Sequence, residues 1–175
     1  SETPYIPMPA WHGKCREEYT EADLQGRPCY IGMDLARTLD MAAVVAAFPD
    51  ESETIDGMVV RLLPFFWYPE NEALDNAHVA PYRQWADAGL LRLSPQDTIE
   101  FDLIYAEIER LSKLFEIRAL LYDKTYANEL TERIENNLNV RRLEFPQTAH
   151  NFAGPTATML RMVTNGKLRH AGHPV

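Results

Sequence analysis

The chain has 175 residues, of which 46% are hydrophobic and 25% charged, as in ordinary soluble globular domains with a sizeable core. Its formal net charge of -9 argues against a broad, non-specific nucleic-acid binder, although carboxylates gathered at a metal site also make a nuclease acidic. No stretch is long and apolar enough to span a membrane, and Cys15 and Cys29 show no metal-ligand spacing, so we predict free thiols in a reducing cytoplasm.

Residues 1–28 contain four prolines and little hydrophobic periodicity. We predict an extended lead-in or linker over this segment, with one helical turn near 21–24. It would either wrap around the following domain or arrive from a preceding one. A single domain is predicted over 29–175.

Three strands are predicted next, over 29–33, 42–48 and 58–67, because each is an apolar run of strand length. Short connections make them an antiparallel meander. Pro64 cannot donate a hydrogen bond to a neighbouring strand, so the third strand is predicted to be a sheet edge.

Helices and strands then alternate. Helices are predicted at 81–89, 100–115, 126–138 and 155–165, and strands at 118–122 and 140–145. A strand that follows a long helical crossover lies parallel to its neighbour. We therefore predict an α/β fold with a mixed five-stranded sheet in the order 3-2-1-4-5, with strand 2 antiparallel, flanked by helices.

Two aspartates end the strands that this order places side by side. Asp34 follows the first strand and Asp123 the fourth, and the carboxyl ends of parallel strands carry the sites of open α/β sheets. Gly32 faces the same side as Asp34 and permits close approach of a ligand, while Asp40 lies across the turn. The plainer alternative is that Asp34 only terminates a strand and Asp40 only caps a turn.

Carboxylates without a basic partner are suited to hard cations, so we predict a site for Mg²⁺ or Mn²⁺ at Asp34 and Asp123, with Asp40 as a further candidate ligand. Two such ions about 4 Å apart activate water and stabilise the leaving oxygen of a phosphodiester. No serine-nucleophile elbow, zinc-protease motif or phosphate-binding loop is present in the sequence.

Several segments together resemble the C-terminal nuclease domain of the large terminase subunit of tailed double-stranded-DNA bacteriophages. They are Gly32-Met33-Asp34-Leu35-Ala36 with Asp40, Pro64-Phe65-Phe66-Trp67-Tyr68-Pro69, Pro81-Tyr82 with Trp85 and Gly89, Tyr122-Asp123, Gly166-Lys167-Leu168-Arg169-His170, and His173-Pro174. The resemblance implies an RNase H-like fold and a metal-dependent endonuclease that uses two ions and cuts concatemeric phage DNA during packaging. The implied partners are double-stranded DNA, the terminase ATPase domain, the small terminase subunit and the portal protein, in the host cytoplasm and away from membranes.

The resemblance also implies parts that this sequence lacks. The family's large subunit carries an N-terminal ATPase motor and a third acidic metal ligand beyond the histidine-proline segment. We therefore expect an isolated domain that is truncated at its C-terminus. Two alternatives remain open: another RNase H-like nuclease of the resolvase or transposase type, and a non-catalytic docking module of the packaging motor.

Three basic residues are candidate DNA contacts. Lys124 directly follows Asp123, while Arg169 and His170 belong to a basic segment late in the chain. The alternative for each is structural: a solvated lysine or arginine, and a histidine that packs inside the protein.

Overall fold

The computed structural model describes residues 5–51, 54 and 57–175. In these ranges the strands are β1 (Pro28–Asp34), β2 (Ala42–Pro49), β3 (Val60–Pro69), β4 (Arg92–Ser94), β5 (Glu116–Tyr122), β6 (Arg142–Glu144) and β7 (Leu168–Arg169). The α-helices are α1 (Met8–Gly13), α2 (Glu70–Asp75), α3 (Tyr82–Asp87), α4 (Phe101–Leu114), α5 (Asn128–Leu138) and α6 (Ala149–Thr164), and a 3-10 turn spans Ala22–Leu24. None of these helices is long and apolar enough to cross a membrane.

The strands form one mixed sheet in the order β4-β3-β2-β1-β5-β6, with β7 paired to the start of β3. β2 is antiparallel to β1 and β3, whereas β1, β5 and β6 are parallel to one another. The five strands predicted from sequence therefore have the predicted order and directions, and β1 and β5 are neighbours as the crossover rule requires.

The prediction that the third strand is an edge is wrong in detail. β7 pairs with Val60 and Arg61 at one end of β3, and β4 pairs with Trp67, Tyr68 and Pro69 at the other. Pro64 lies between these two short pairings, where none of the described strands is hydrogen-bonded to the outer side of β3. The proline thus marks an unpaired gap rather than a whole edge.

One face of the sheet forms the main core. Ile31, Val44, Trp67 and Leu120 are fully buried there, against the apolar sides of α4 and α5. Along β1 the alternate residues Tyr30, Gly32 and Asp34 are exposed. The alternation thus separates a buried face that stabilises the fold from an open face that ends at Asp34.

The segment predicted to be an extended lead-in is partly helical. α1 begins directly after Pro7, and prolines in a first helical turn are tolerated because the N–H groups there have no intrahelical partner. The 3-10 turn at Ala22–Leu24 matches the predicted helical turn, and Leu24 belongs to the main core. His170 donates its backbone N–H to the Cys15 carbonyl (2.9 Å), which ties this segment to β7. The domain boundary at residue 28 remains a prediction.

The last helix begins earlier than predicted. α6 starts at Ala149 because the Thr148 side chain accepts the Asn151 N–H (3.2 Å), and Pro155 lies inside the helix rather than in its first turn. Proline is unfavourable in a helix interior, so the sequence predicted that the helix begins at Pro155. The helix begins instead at Ala149, directly after the capping residue Thr148.

Truncation of a buried α4 residue tests the assignment of the core. Ile108 is fully buried, so Ile108→Ala is expected to lower the free energy of unfolding by about 2–5 kcal/mol. Leu103, on the same helix, is 36% exposed, and Leu103→Ala should cost less than about 1 kcal/mol. Urea denaturation of the two variants measures the difference, and equal losses would contradict this account of α4.

Candidate active site

Asp34 and Asp123 lie at adjacent strand ends. Asp34 is the last residue of β1, and Asp123 directly follows β5. Met33 is paired in register with Tyr122, so the residues after them leave the sheet side by side. Asp34 is exposed and Asp123 is partly exposed, so neither carboxylate loses most of its contact with water.

Gln147 connects the two carboxylates. Its side-chain Nε2 donates to Asp34 Oδ1 (3.1 Å), and its backbone N–H donates to Asp123 Oδ2 (2.9 Å). The other oxygen of Asp123 accepts the backbone N–H of Thr125 (2.9 Å). One residue in the segment after β6 therefore sets the relative orientation of both acids.

These hydrogen bonds also determine the charge state of Asp123. The backbone N–H groups of Thr125 and Gln147 hold the pKa of the Asp123 carboxyl below its usual value, because they stabilise the ionised form. Mutual repulsion between neighbouring carboxylates would raise a pKa instead. At Asp123 hydrogen bonding has the larger effect.

Both acids line one cleft of about 510 Å³ on the open face of the sheet. Its other lining residues are Gln147 and the mainly apolar set Gly32, Met33, Ala43, Val45, Leu121, Tyr122, Phe145, Phe152 and Pro155. A Cβ added at Gly32 would meet no atom within 4 Å, so the floor of the cleft beside Asp34 is open. The carboxylates thus lie where a ligand could approach them over the sheet surface.

Asp40 is separate from this pair. It is exposed, lies in the loop between β1 and β2, and does not line the cleft. In the parts of the chain that the structure describes, no group of three or more His, Cys, Asp or Glu residues is arranged to hold a metal ion. Asp34 and Asp123 therefore supply two hard oxygen donors, which suit a divalent cation but make a sparse site.

Of the predicted DNA contacts, only Lys124 lies beside the acids. Its Nζ is 3.6 Å from Glu144 Oε1, and its side chain is largely exposed. Arg169 is in β7, which pairs with the start of β3 at the end of the sheet opposite Asp34. Strand spacing and rise put Arg169 about 20 Å from Asp34. Its Nη1 lies 3.7 Å from a Glu17 carboxylate oxygen.

His170 is placed as a packing residue. It is 8% exposed, and its ring stacks on Trp11 with a centroid distance of 4.2 Å. Its Nε2 lies 2.8 Å from the Trp11 carbonyl oxygen, and its Nδ1 accepts the Gly172 N–H (3.0 Å). Both ring nitrogens are therefore hydrogen-bonded inside the protein, as expected for a histidine that packs there. DNA contact by Lys124, Arg169 and His170 stays a prediction.

Gln147 was not identified from the sequence. It is 113 residues from Asp34, and no helical or strand periodicity relates the two positions. Its place beside two strand-end acids follows only from the path of the chain after β6. A lone glutamine in a polar segment carries no signal of such a role.

Comparisons with known proteins agree with this architecture. The chain is 29% identical over 152 residues to the large terminase subunit of Enterobacteria phage HK97, a match that covers 85% of this chain and 29% of that protein. It is 22% identical over 181 residues to protein YmfN of Escherichia coli K12, covering 98% of this chain and 38% of that protein. The chain thus spans roughly a third of the length of these curated relatives.

A solved structure has the same fold. The crystal structure of the HK97 bacteriophage large terminase superposes with a TM-score of 0.82 at 24% identity, over 98% of this chain and 35% of that one. The mixed sheet flanked by helices is therefore the RNase H-like fold of terminase nucleases. The model of the terminase large subunit endonuclease domain matches residues 14–175, and the chain belongs to that family.

Proposed function

We propose that this chain is the metal-dependent endonuclease domain of a phage DNA-packaging terminase and hydrolyses phosphodiester bonds of concatemeric double-stranded DNA. The observation that carries the proposal is the pair Asp34 and Asp123, held at adjacent strand ends in one cleft within a chain of the terminase endonuclease family. Family membership favours this function over that of a resolvase or transposase.

Each acid has a defined part in this proposal. Asp34 and Asp123 would hold Mg²⁺ or Mn²⁺, and two such ions, when bound, supply an activated water and stabilise the leaving oxygen. Gln147 would keep the two carboxylates in a fixed relative orientation. A carboxylate has about four acceptor positions, and the N–H groups of Thr125 and Gln147 with the Thr125 side chain use three of those of Asp123, so coordination is compatible with the observed hydrogen bonds. Asp40 remains a candidate for contact with a bound ion or its water.

The wider assembly follows from the relatives and is part of the same proposal. The HK97 relative is a large terminase subunit, and this chain covers 29% of it. We infer that the domain works beside a terminase ATPase domain, with the small terminase subunit and the portal protein as partners, in the host-cell cytoplasm. A non-catalytic docking role is the competing function, and the following experiment separates the two.

Nicking of supercoiled plasmid in the presence of Mn²⁺ tests the function. The 175-residue chain is expected to nick the plasmid, and Asp34→Asn or Asp123→Asn to slow nicking by about a hundredfold or more, because a ligand to the ion is lost. Glu116→Gln is the matched control, since Glu116 is exposed at the other end of β5 and should leave the rate unchanged. Both aspartate variants should remain folded, because neither carboxylate is buried. Equal rates for all four proteins would favour the docking role.

The position of the metal is tested by paramagnetic broadening of backbone amide NMR signals. Added Mn²⁺ should broaden the amides of residues 34–35 and 123–125 first. Half-saturation is expected on the order of millimolar concentrations, because two carboxylates are few ligands for a hard cation. Asp34→Asn should remove the broadening at both strand ends. Broadening centred elsewhere on the surface would contradict the assignment.

The ionisation of Asp123 gives a test without metal. Its carboxyl should titrate below the ordinary value of 3.8, as followed by the side-chain carboxyl carbon in NMR. Its contribution to stability is then fully present above that value and is lost as the pH falls through the lower folded-state pKa. Gln147→Ala keeps the backbone N–H donor, so the Asp123 titration should stay low. A midpoint at or above 3.8 in the wild-type chain would contradict the role of the two N–H groups.

A further inference from the structure

A second feature lies at the same end of the sheet as the two acids. Arg37 is in the loop between β1 and β2, and its guanidinium lies over the rings of Phe101 (5.4 Å) and Tyr126 (5.9 Å). Its backbone carbonyl accepts the Ile99 N–H (2.9 Å). One residue therefore connects the loop after Asp34, the start of α4 and the segment after Asp123.

Unlike the neighbouring cations, Arg37 has no anionic partner among the residues that the structure describes. Lys124 lies 3.6 Å from a Glu144 oxygen, and Arg133 forms an ion pair with Asp102 (2.5 Å). Arg37 forms no ion pair with any residue in 5–51, 54 or 57–175. A guanidinium stacked on aromatic rings keeps its planar edge of N–H donors available, and this edge matches two oxygens of a phosphate.

The chain path keeps this group near the acids. Arg37 is three residues after Asp34, and Tyr126 is three residues after Asp123, so each Cα lies within about 11 Å of the corresponding aspartate Cα. Tyr126 has a left-handed backbone (φ 65°) and is 61% exposed. Such strain in a residue other than glycine is often found at functional sites, and here it accompanies a tyrosine ring that lies mainly outside the core.

The charges around Arg37 restrict its ligand. Glu100, Asp102 and Glu129 line the same cavity of about 520 Å³, which disfavours a free anion held inside it. Arg37 lines this cavity and not the cleft of Asp34 and Asp123, so a ligand that contacts both must be a polymer that spans the two. Each strand of a DNA duplex carries a phosphate about every 3.4 Å along the axis, so phosphates flanking a cut at Asp34 and Asp123 lie within reach.

We propose that Arg37, held by Phe101 and Tyr126, contacts a backbone phosphate of the DNA beside the bond that is cut. The inference rests on the proposed nuclease function and adds a substrate-binding residue to it. In a chain with a net charge of -9, a guanidinium that forms no ion pair with a described residue and lies near the acids would set the position of the DNA without reading its sequence.

The test measures binding of a fluorescent DNA duplex by anisotropy, without divalent metal, from about 50 to 200 mM salt. Arg37→Ala should weaken binding about tenfold at the low-salt end and lower the slope of log affinity against log salt by about one. Arg37→Lys keeps the charge and should keep the slope, with weaker binding because the planar fork of donors is lost. Arg118→Ala is the matched control: it removes the same charge from a half-exposed side chain at the opposite end of β5 and should leave the slope unchanged.

The outcomes separate this inference from the nuclease proposal. Three results would each overturn the inference about Arg37. The first is an equal salt slope for wild type and Arg37→Ala, and the second is an equal decrease of that slope in Arg118→Ala. The third is the absence of measurable DNA binding by the wild-type chain. If Arg37 only held its loop in place, affinity would fall by the same factor at every salt concentration. Thermal unfolding of each variant identifies a loss of fold. If Arg37→Ala does not fold, Arg37→Lys is compared with the wild-type chain in its place. A slope that depends on Arg37 in a chain that never nicks DNA would support the contact and contradict the nuclease function.

Discussion

The parallel ladder between β1 and β5 joins two segments that are far apart in the chain, and the candidate site depends on its register. Met33 lies opposite Tyr122, which brings the following residues, Asp34 and Asp123, out of the sheet together. A slip of one residue would turn Asp34 from the open face toward the buried one, where an unpaired carboxylate is costly. The apolar residues of β1 on the core side, Ile31 and Met33, therefore fix the position of the acid as well as the strand.

The two faces of the sheet differ in burial and in the residues that they present. Trp67, Leu120 and the apolar sides of α4 and α5 bury the surface that stabilises the fold. On the other face Gly32 leaves the approach to Asp34 free, and the carboxylates stay in contact with water. Asp34 and Asp123 do not belong to the apolar core. Polar residues that bind a ligand on this face therefore reduce the stability of the fold only slightly.

Two loop residues lie near the candidate site. Gln147 fixes the orientation of the carboxylates through two hydrogen bonds, one from its side chain and one from its backbone. Arg37 contributes positive charge to an acidic chain, and its guanidinium lies over the rings of Phe101 and Tyr126. Such residues come from connections whose paths are set by the scaffold, which is where binding residues are commonly found.

The sequence by itself determined five of the described strands, their order and directions, and the pair Asp34 and Asp123, because strand patterns are local and the crossover rule is general. It did not determine the partners of β3, since β4 and β7 are too short to give a clear pattern. Prolines prevented the prediction of α1 and shifted the predicted start of α6. A proline in the sequence can indicate either an interrupted helix or the first turn of one. The contacts of Gln147 and Arg37 are visible only in the tertiary structure. Their contacts join loops that are distant in sequence, and no periodicity encodes where such loops meet.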